Sequence, residues 1–233
     1  MSSGEERLQP LEESSRASRL LGDILSHDLT NSVWIAENYL RLAMDGGVPD
    51  DKRPFYDGMR GALAKARGIL ADVRTFMRVQ DLVAFNAESI DLGLVAEEVA
   101  QSFRPLGEQK GQTVTVAATG RTLAAASPLV REVVSQLLSN AIKFGPPDSA
   151  VEVTVGGGRR VRLGVRDRGA GVPEVSRERI FQRFEHMDKG PITGVGLGLA
   201  IVRRIVDLHG GRVWVEEHPD GGCLFVAEFP AAD

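Results

Sequence analysis

Two long uninterrupted stretches, residues 15–44 and 55–79, flank the segment DGGVPDDKRP at 45–54, whose Gly, Pro and Asp suit a tight connection. Apolar residues recur at helical spacing through both stretches, so the pair predicts an antiparallel helical hairpin. A lone hairpin cannot bury both of its apolar faces. It has to pair with a copy of itself or dock on another domain, and a homodimeric four-helix bundle is the economical solution. The residues ahead of it, 1–14, are polar, contain Pro10 and read as a linker or the start of a helix.

After a joint near residues 81–90 the texture changes to short strands, glycine clusters and shorter helices. Helices are predicted at 91–109, at 128–144 with Ser127 as cap and Pro128 in the first turn, and at 196–209. Strands are predicted at 113–116, 122–126, 151–155, 161–167, 212–217 and 223–229. GGGRR and HPDGG each join an antiparallel pair, so the sheet is mixed or antiparallel with helices on one face. The fold class is therefore α+β with two domains: a hairpin over 15–84, followed by an α/β sandwich over 89–233.

Composition narrows the function. The 233 residues are 42% hydrophobic and 26% charged with a formal net charge of -4, which gives no basic bias toward nucleic acid. No apolar run approaches the roughly 20 residues of a membrane span, and the N-terminus lacks the apolar core of a signal peptide, so a cytoplasmic location is expected. The one cysteine, Cys223, forms no internal disulfide framework and reads as a small buried residue in a strand.

Polar residues interrupt the first helix at SHDLTN, residues 26–31. At about 100° per residue, Leu25, Leu29, Val33, Ala36, Leu40 and Ala43 form one stripe, and His27 and Asn31 fall roughly opposite it. His27 thus points outward. Asp28 beside it can polarise an imidazole proton and raise the nucleophilicity of the other ring nitrogen, and Asn31 stands where an amide can orient a water. Such an imidazole is chemically a phosphate acceptor.

Three segments of the second domain read together as a nucleotide pocket. In REVVSQLLSNAIKFGPP, residues 131–147, Gln136, Asn140 and Lys143 form one polar seam on an apolar helix; Asn140 offers a hard oxygen for Mg²⁺ and Lys143 a charge for phosphate. In VRDRGAGVP, residues 165–173, a strand ends in Asp167, an acceptor for an exocyclic amine, and Gly169 and Gly171 permit a tight turn. In GVGLGLAIVRRIVDLHGG, residues 194–211, Gly194, Gly196 and Gly198 open with Leu199 into an amphipathic helix whose N-terminal amides attract phosphate. The dinucleotide GxGxxG spacing and the Walker GxxxxGK[ST] are absent. Between the last two segments, IFQRFEHMDKG suits a mobile lid.

Together these motifs resemble the sensor histidine kinases of two-component systems. SHDLTN is similar to the H box, QLLSNAIKF to the N box, DRGAG to the first glycine box, IFQRF to the F box and GVGLGL to the second. They occur in the family's order, and the likeness covers roughly residues 15–230. The resemblance implies a dimerisation and phosphotransfer hairpin followed by a Bergerat-type ATP-binding domain. On it, His27 is the phosphoacceptor for ATP, Asp28 the activating base and Asn31 the residue that helps place water for dephosphorylating a response regulator. Asn140 holds Mg²⁺, Lys143 contacts phosphate and Asp167 recognises adenine, while Gly169, Gly171, Gly194, Gly196 and Gly198 admit the nucleotide to the backbone. The implied partners are a receiver domain, which takes the phosphoryl group on an aspartate, a second copy of the chain, and a sensor input domain or protein acting in trans, since no segment remains here for a large sensor.

Three residues depart from the family pattern. Ser32 stands where a proline often bends the helix. Gln136 replaces the first Asn of the N box. His186 stands where many members have Arg, moving lid contacts with phosphate to Arg183 or Lys189. Two rival readings follow: a phosphotransfer or scaffold protein with a decayed ATP domain, against which the intact Asn140, Asp167 and glycine boxes speak, and a hydrolytic ATPase as in gyrase or Hsp90, disfavoured because Gln136 cannot take a proton where those enzymes carry Glu. Among the remaining residues, His209 is expected to be partly cationic at a helix C-terminus, His218 solvated in a turn, and Trp34 and Trp214 packing residues.

Overall fold

The computed structural model describes residues 29–45, 47–185, 196–218 and 221–232. The chain divides into two compact units at Gln80/Asp81. In the first, helix α1, described over 29–45, and helix α2, Arg53–Gln80, form the expected hairpin. Gly47, at φ 87°, turns the chain between them, where its amide bonds the Met44 carbonyl at 3.0 Å. An ion pair between Arg67 and Glu37 at 3.4 Å ties the two helices across their length. Within one chain this hairpin leaves Leu29, Trp34, Tyr39, Leu42, Phe55 and Met59 exposed. Trp34, expected to pack, is 59% exposed, with no apolar surface among the described residues covering it.

The second unit runs β1 (Glu88–Asp91), α3 (Leu92–Glu108), β2 (Thr113–Gly120), β3 (Leu123–Ala126), α4 (Val130–Phe144), β4 (Ala150–Gly157), β5 (Arg160–Arg166), α5 (Gly198–Leu208), β6 (Arg212–Glu217) and β7 (Cys223–Pro230), with two 3-10 turns at Glu174–Ser176 and Arg179–Phe181. The main sheet has the order β2-β4-β5-β7-β6; β2 and β4 are parallel and the other pairs antiparallel. Register explains its two faces. Val153, Val165, Phe225 and Val215 are successive partners, as are Val155, Leu163, Ala227 and Val213, and all are buried. Because cross-strand partners share a face, these rows make one apolar layer on which the helices pack. The intervening residues make the opposite face, where Glu152 pairs with Arg166 and Arg168, and Glu228 with Arg160 and Arg162.

Each helix contributes one stripe to the core. Leu92, Ala96, Val99 and Ala100 of α3, Val130, Val133, Val134, Leu137, Leu138, Ala141 and Ile142 of α4, and Ile201, Val202, Ile205 and Val206 of α5 are buried at i, i+3, i+4 and i+7 spacing. Asp91 caps α3 by accepting from the Gly93 and Leu94 amides at 2.8 and 3.3 Å. Strand β1, which pairs with β3 as a separate two-stranded ribbon, occupies part of what reads in the sequence as a joint.

One expectation is met at the start of α4 and one is corrected. The regular helix begins at Val130, behind a turn at Pro128 and Leu129. Ser127 Oγ accepts from the Leu129 amide at 3.4 Å and the Ser127 carbonyl from the Val130 amide at 3.1 Å, as a residue capping that turn does, while the Ser127 amide donates to His209 Nε2 at 2.9 Å and its Oγ lies 3.2 Å from the same nitrogen. His209 is not a cationic end residue. It is buried between Phe85, stacked at 3.9 Å, and the edge of Phe229 at 5.7 Å. The Ile205 carbonyl, 2.7 Å from Nδ1, can only accept, so Nδ1 carries the proton and Nε2 is free to take the Ser127 N–H. Burial holds the ring below its ordinary pKa, against a smaller opposing effect of the Ile205 bond.

Candidate functional site

Helix α4 is the common wall of the candidate site. Its inward stripe faces the core, which leaves Gln136, Asn140 and Lys143 on a different face. Asn140 is half-buried and its amide makes no hydrogen bond within the described chain. A hard, unengaged oxygen of this kind fits a Mg²⁺ ligand that shares the ion with phosphate oxygens and water. Among the described residues no group of three or more His, Cys, Asp or Glu gathers. Lys143 lies at the exposed end, its ammonium 4.8 Å from the centre of the Phe144 ring.

The first glycine turn abuts the end of this helix. Asp167, just past β5, is 4% exposed; its Oδ1 accepts from the Gly169 amide at 2.8 Å, and its own amide donates to the Cys223 carbonyl at 3.0 Å. Burial raises the Asp167 pKa, and the bonds at Gly169 and Cys223 partly offset that effect. A Cβ on Gly169 would stand 2.7 Å from the Phe144 carbonyl oxygen and 2.9 Å from Asp167 Oδ1, so only glycine lets the turn lie this close to α4. Gly171 takes φ 84°, in the left-handed region that glycine favours.

The second glycine segment meets α4 one turn before Asn140. A Cβ on Gly198, the first residue of α5, would lie 2.5 Å from Gln136 Oε1. The longer amide at 136 therefore reaches α5, while its nitrogen donates to Glu132 at 3.1 Å. Gly196, at φ 72°, accepts at its carbonyl from the Phe184 amide at 3.0 Å, and Phe184 itself adopts φ 62°. Leu199 is half-buried in the first turn of α5, and Arg183 is exposed on the F-box side.

The structure thus gathers Asn140, Lys143, Asp167, Gly169 and Gly198 around one helix. Asn31 is exposed on α1, in the other unit. His27, Asp28, His186, Lys189 and Gly194 lie outside the described residues. The sequence reading missed Gly222 and Phe184. Gly222, at φ 85°, has no room for a Cβ, which would fall 2.0 Å from the Asp167 carbonyl; the HPDGG turn signal marks it as a turn residue but not as a neighbour of Asp167. Left-handed Phe184 has no sequence signal. Cys223 is buried as expected, and burial together with the charge of Asp167 pushes its thiol up to about 11.

Residues 125–233 match the family described as histidine kinase-, DNA gyrase B-, and HSP90-like ATPase. The adaptive-response sensory kinase SasA of Prochlorococcus marinus (strain MIT 9303) is 31% identical over 159 residues, which are 66% of this chain and 42% of that protein. The phytochrome-like protein Cph1 of Synechocystis is 26% identical over 227 residues, 94% of this chain and 30% of its own. This chain therefore spans less than half the length of these curated relatives. Among solved structures, full-length ShkA in complex with AMPPNP superimposes with a TM-score of 0.71 at 27% identity, covering 91% of this chain and 46% of that one. The catalytic domain of the histidine kinase ThkA gives 0.57 at 25% identity, over 63% of this chain and 96% of its own.

Proposed function

We propose that the protein is a sensor histidine kinase that phosphorylates His27 from ATP, a reading supported by the match of residues 125–233 to the histidine kinase-, DNA gyrase B-, and HSP90-like ATPase family. The phosphoryl group then passes to an aspartate of a response-regulator receiver domain. The observation that carries this reading is the convergence on α4. An amide at Asn140 with no hydrogen bond among the described residues, a lysine at 143 and a buried carboxylate at Asp167 stand along one wall, against which Gly169 and Gly198 press.

In this reading the Asp167 carboxylate accepts from the exocyclic amine of adenine, Lys143 draws the phosphates, and Asn140 would hold Mg²⁺, which when bound neutralises phosphate charge. Gly169, Gly171, Gly194, Gly196, Gly198 and Leu199 line the nucleotide, with Arg183 and Lys189 supplying charge from the lid. As His27 attacks the γ-phosphorus, the bond from that phosphorus to the β,γ-bridging oxygen breaks, ADP leaves with the electron pair and the Asp28 carboxylate takes the imidazole proton; Asn31 places water when the regulator is dephosphorylated. Residues 15–84 form the dimerisation hairpin and 89–233 the catalytic domain; pairing of two chains covers the side chains that one hairpin leaves exposed. Input arrives from a sensor domain or from a protein in trans. Among the described residues no helix is long and apolar enough to cross a membrane.

Incubation with γ-labelled ATP tests the reading. Acid-labile, base-stable label is expected on the wild type and absent from His27→Gln, with nucleotide binding retained in the variant. Label that persists in His27→Gln removes the role of that residue. No label on a wild type that binds Mg-ATP removes the kinase.

A further inference from the structure

The C-terminus of α4 lacks the closure that helix ends commonly use. Gly145 follows the last helical residue with φ -64° and ψ 144°, extended rather than left-handed, so no Schellman turn ties off the final carbonyls. Donors come instead from the loop between α3 and β2. Lys110 Nζ donates to the carbonyls of Ile142 at 2.7 Å, Gly145 at 3.1 Å and Lys143 at 3.2 Å. Gln112 Nε2 donates to Gly145 and Pro146 at 3.0 Å and to Ile142 at 3.2 Å. All three ammonium hydrogens have an acceptor. Gln112 is 3% exposed and its buried Oε1 has no partner among the described residues, whereas its nitrogen has three acceptors. The backbones are joined as well, through Asp148 N to Lys110 O and Thr113 N to Ser149 O, each at 3.0 Å.

We propose that Lys110 and Gln112 are positioning residues for nucleotide binding: together they fix the last turn of α4, and with it the placement of Asn140, Lys143 and the Asp167–Gly169 turn. This rests on the reading of those residues as nucleotide ligands. The path is short. Lys110 holds the Lys143 carbonyl, and the next carbonyl, that of Phe144, is the one Gly169 lies against. Charge adds a second effect. The carbonyl end of a helix carries partial negative charge, which disfavours a polyphosphate nearby, and an ammonium seated on three of those carbonyls offsets it. A neutral cap would hold the helix without that second effect.

The test uses the full chain, with affinities for Mg-ATP and for adenosine measured at a temperature where melting curves show each variant folded. Lys110→Met is expected to weaken Mg-ATP about tenfold and adenosine no more than threefold, with kcat for autophosphorylation changed less than KM. Lys110→Arg, which keeps the charge and the donors, is expected to recover most of the ATP affinity. Gln112→Glu, which turns an anion toward the same carbonyls, serves as a second variant and is expected to weaken ATP at least as much. Mg-ATP affinity within twofold of wild type in Lys110→Met or Gln112→Glu overturns the proposal, as does equal weakening of ATP and adenosine with no recovery in Lys110→Arg. A wild type that binds no Mg-ATP overturns the nucleotide reading itself, a result separable from unaltered binding in the variants.

Discussion

The buried His209 makes a quantitative prediction about acid stability. In the folded unit Nδ1 donates to Ile205 and Nε2 accepts from Ser127 at 2.9 Å, so the ring has no place for a second proton. Its pKa lies below the ordinary 6.5 because burial opposes the cation. Above pH 6.5 the ring is neutral in both folded and unfolded chains and its contribution is complete. As pH falls below 6.5 the unfolded chain takes up a proton that the folded chain refuses, and stability is lost until the lowered folded value is reached. The slope approaches about 1.4 kcal/mol per pH unit. His209→Leu fills similar space without titrating. At pH 7.5 it leaves the Ser127 N–H unpaired, at about 1–3 kcal/mol, and loses the contact with Phe85, at about 0.5–1.5 kcal/mol. Urea unfolding of both proteins between pH 7.5 and 5.5 is the assay. Contributions from other titrating groups cancel in the difference, which is expected to shrink by up to about 1.4 kcal/mol at pH 5.5. A difference that stays constant or widens on acidification refutes the neutral ring and its tautomer.

Further outcomes are expected at the site and the hairpin. Asp167→Asn removes the charged acceptor and is expected to weaken adenine nucleotides by about 10- to 100-fold, taking about 1.5–3 kcal/mol for a charged hydrogen bond, read by isothermal titration. Burial lifts the Asp167 pKa above 3.8, so its effect on folding is fully present below pH 3.8 and lost as pH rises through the raised value, whereas adenine binding weakens as pH falls through that value. Gly169→Ala places a Cβ 2.7 Å from the Phe144 oxygen and is expected to cost about 1–3 kcal/mol in thermal unfolding along with ATP affinity. Asn140→Ala is expected to abolish the Mg²⁺ dependence of ATP binding while leaving adenosine binding intact. Leu42→Glu, at a side chain 63% exposed in one chain, is expected to convert a dimer to monomer in sedimentation; an unaltered dimer would place the interface elsewhere.

The parts of this protein that follow from local rules are legible in its sequence. The hairpin is visible because helical periodicity persists over many turns, and six strands of the second unit are visible because Val-rich alternation ends in glycine turns. Strand β1 is hidden because ESID carries no apolar alternation, and it exists only because β3 lies beside it. The start of α4 is legible in part: Ser127 followed by Pro128 is a sound local signal for a cap, and Ser127 Oγ accepts from the Leu129 amide at 3.4 Å, but nothing local shows that the same serine also meets a histidine far along the chain. The same event misleads the reading of His209: a helix end predicts a favourable cation, while the tertiary fold supplies an aromatic enclosure and a backbone donor that require a neutral ring.

The site divides along the same line. Residues that would touch nucleotide sit in short motifs because a strand end, a glycine turn and a helix face each place their chemistry within a few residues. Lys110 and Gln112 belong to no such motif; a lysine and a glutamine in a polar loop look like solvated surface until the loop is seen to meet the end of α4. That end needs outside donors because Gly145 is extended, and Gly145 has to be small because a Cβ there would lie 2.7 Å from the Ala141 carbonyl and 3.0 Å from Gln112 Nε2. Forgoing the usual glycine closure therefore makes the position of the last helical turn depend on the α3–β2 loop. On the proposed reading, the motif residues would provide the chemistry of the site, and the loop would set the distances at which that chemistry operates.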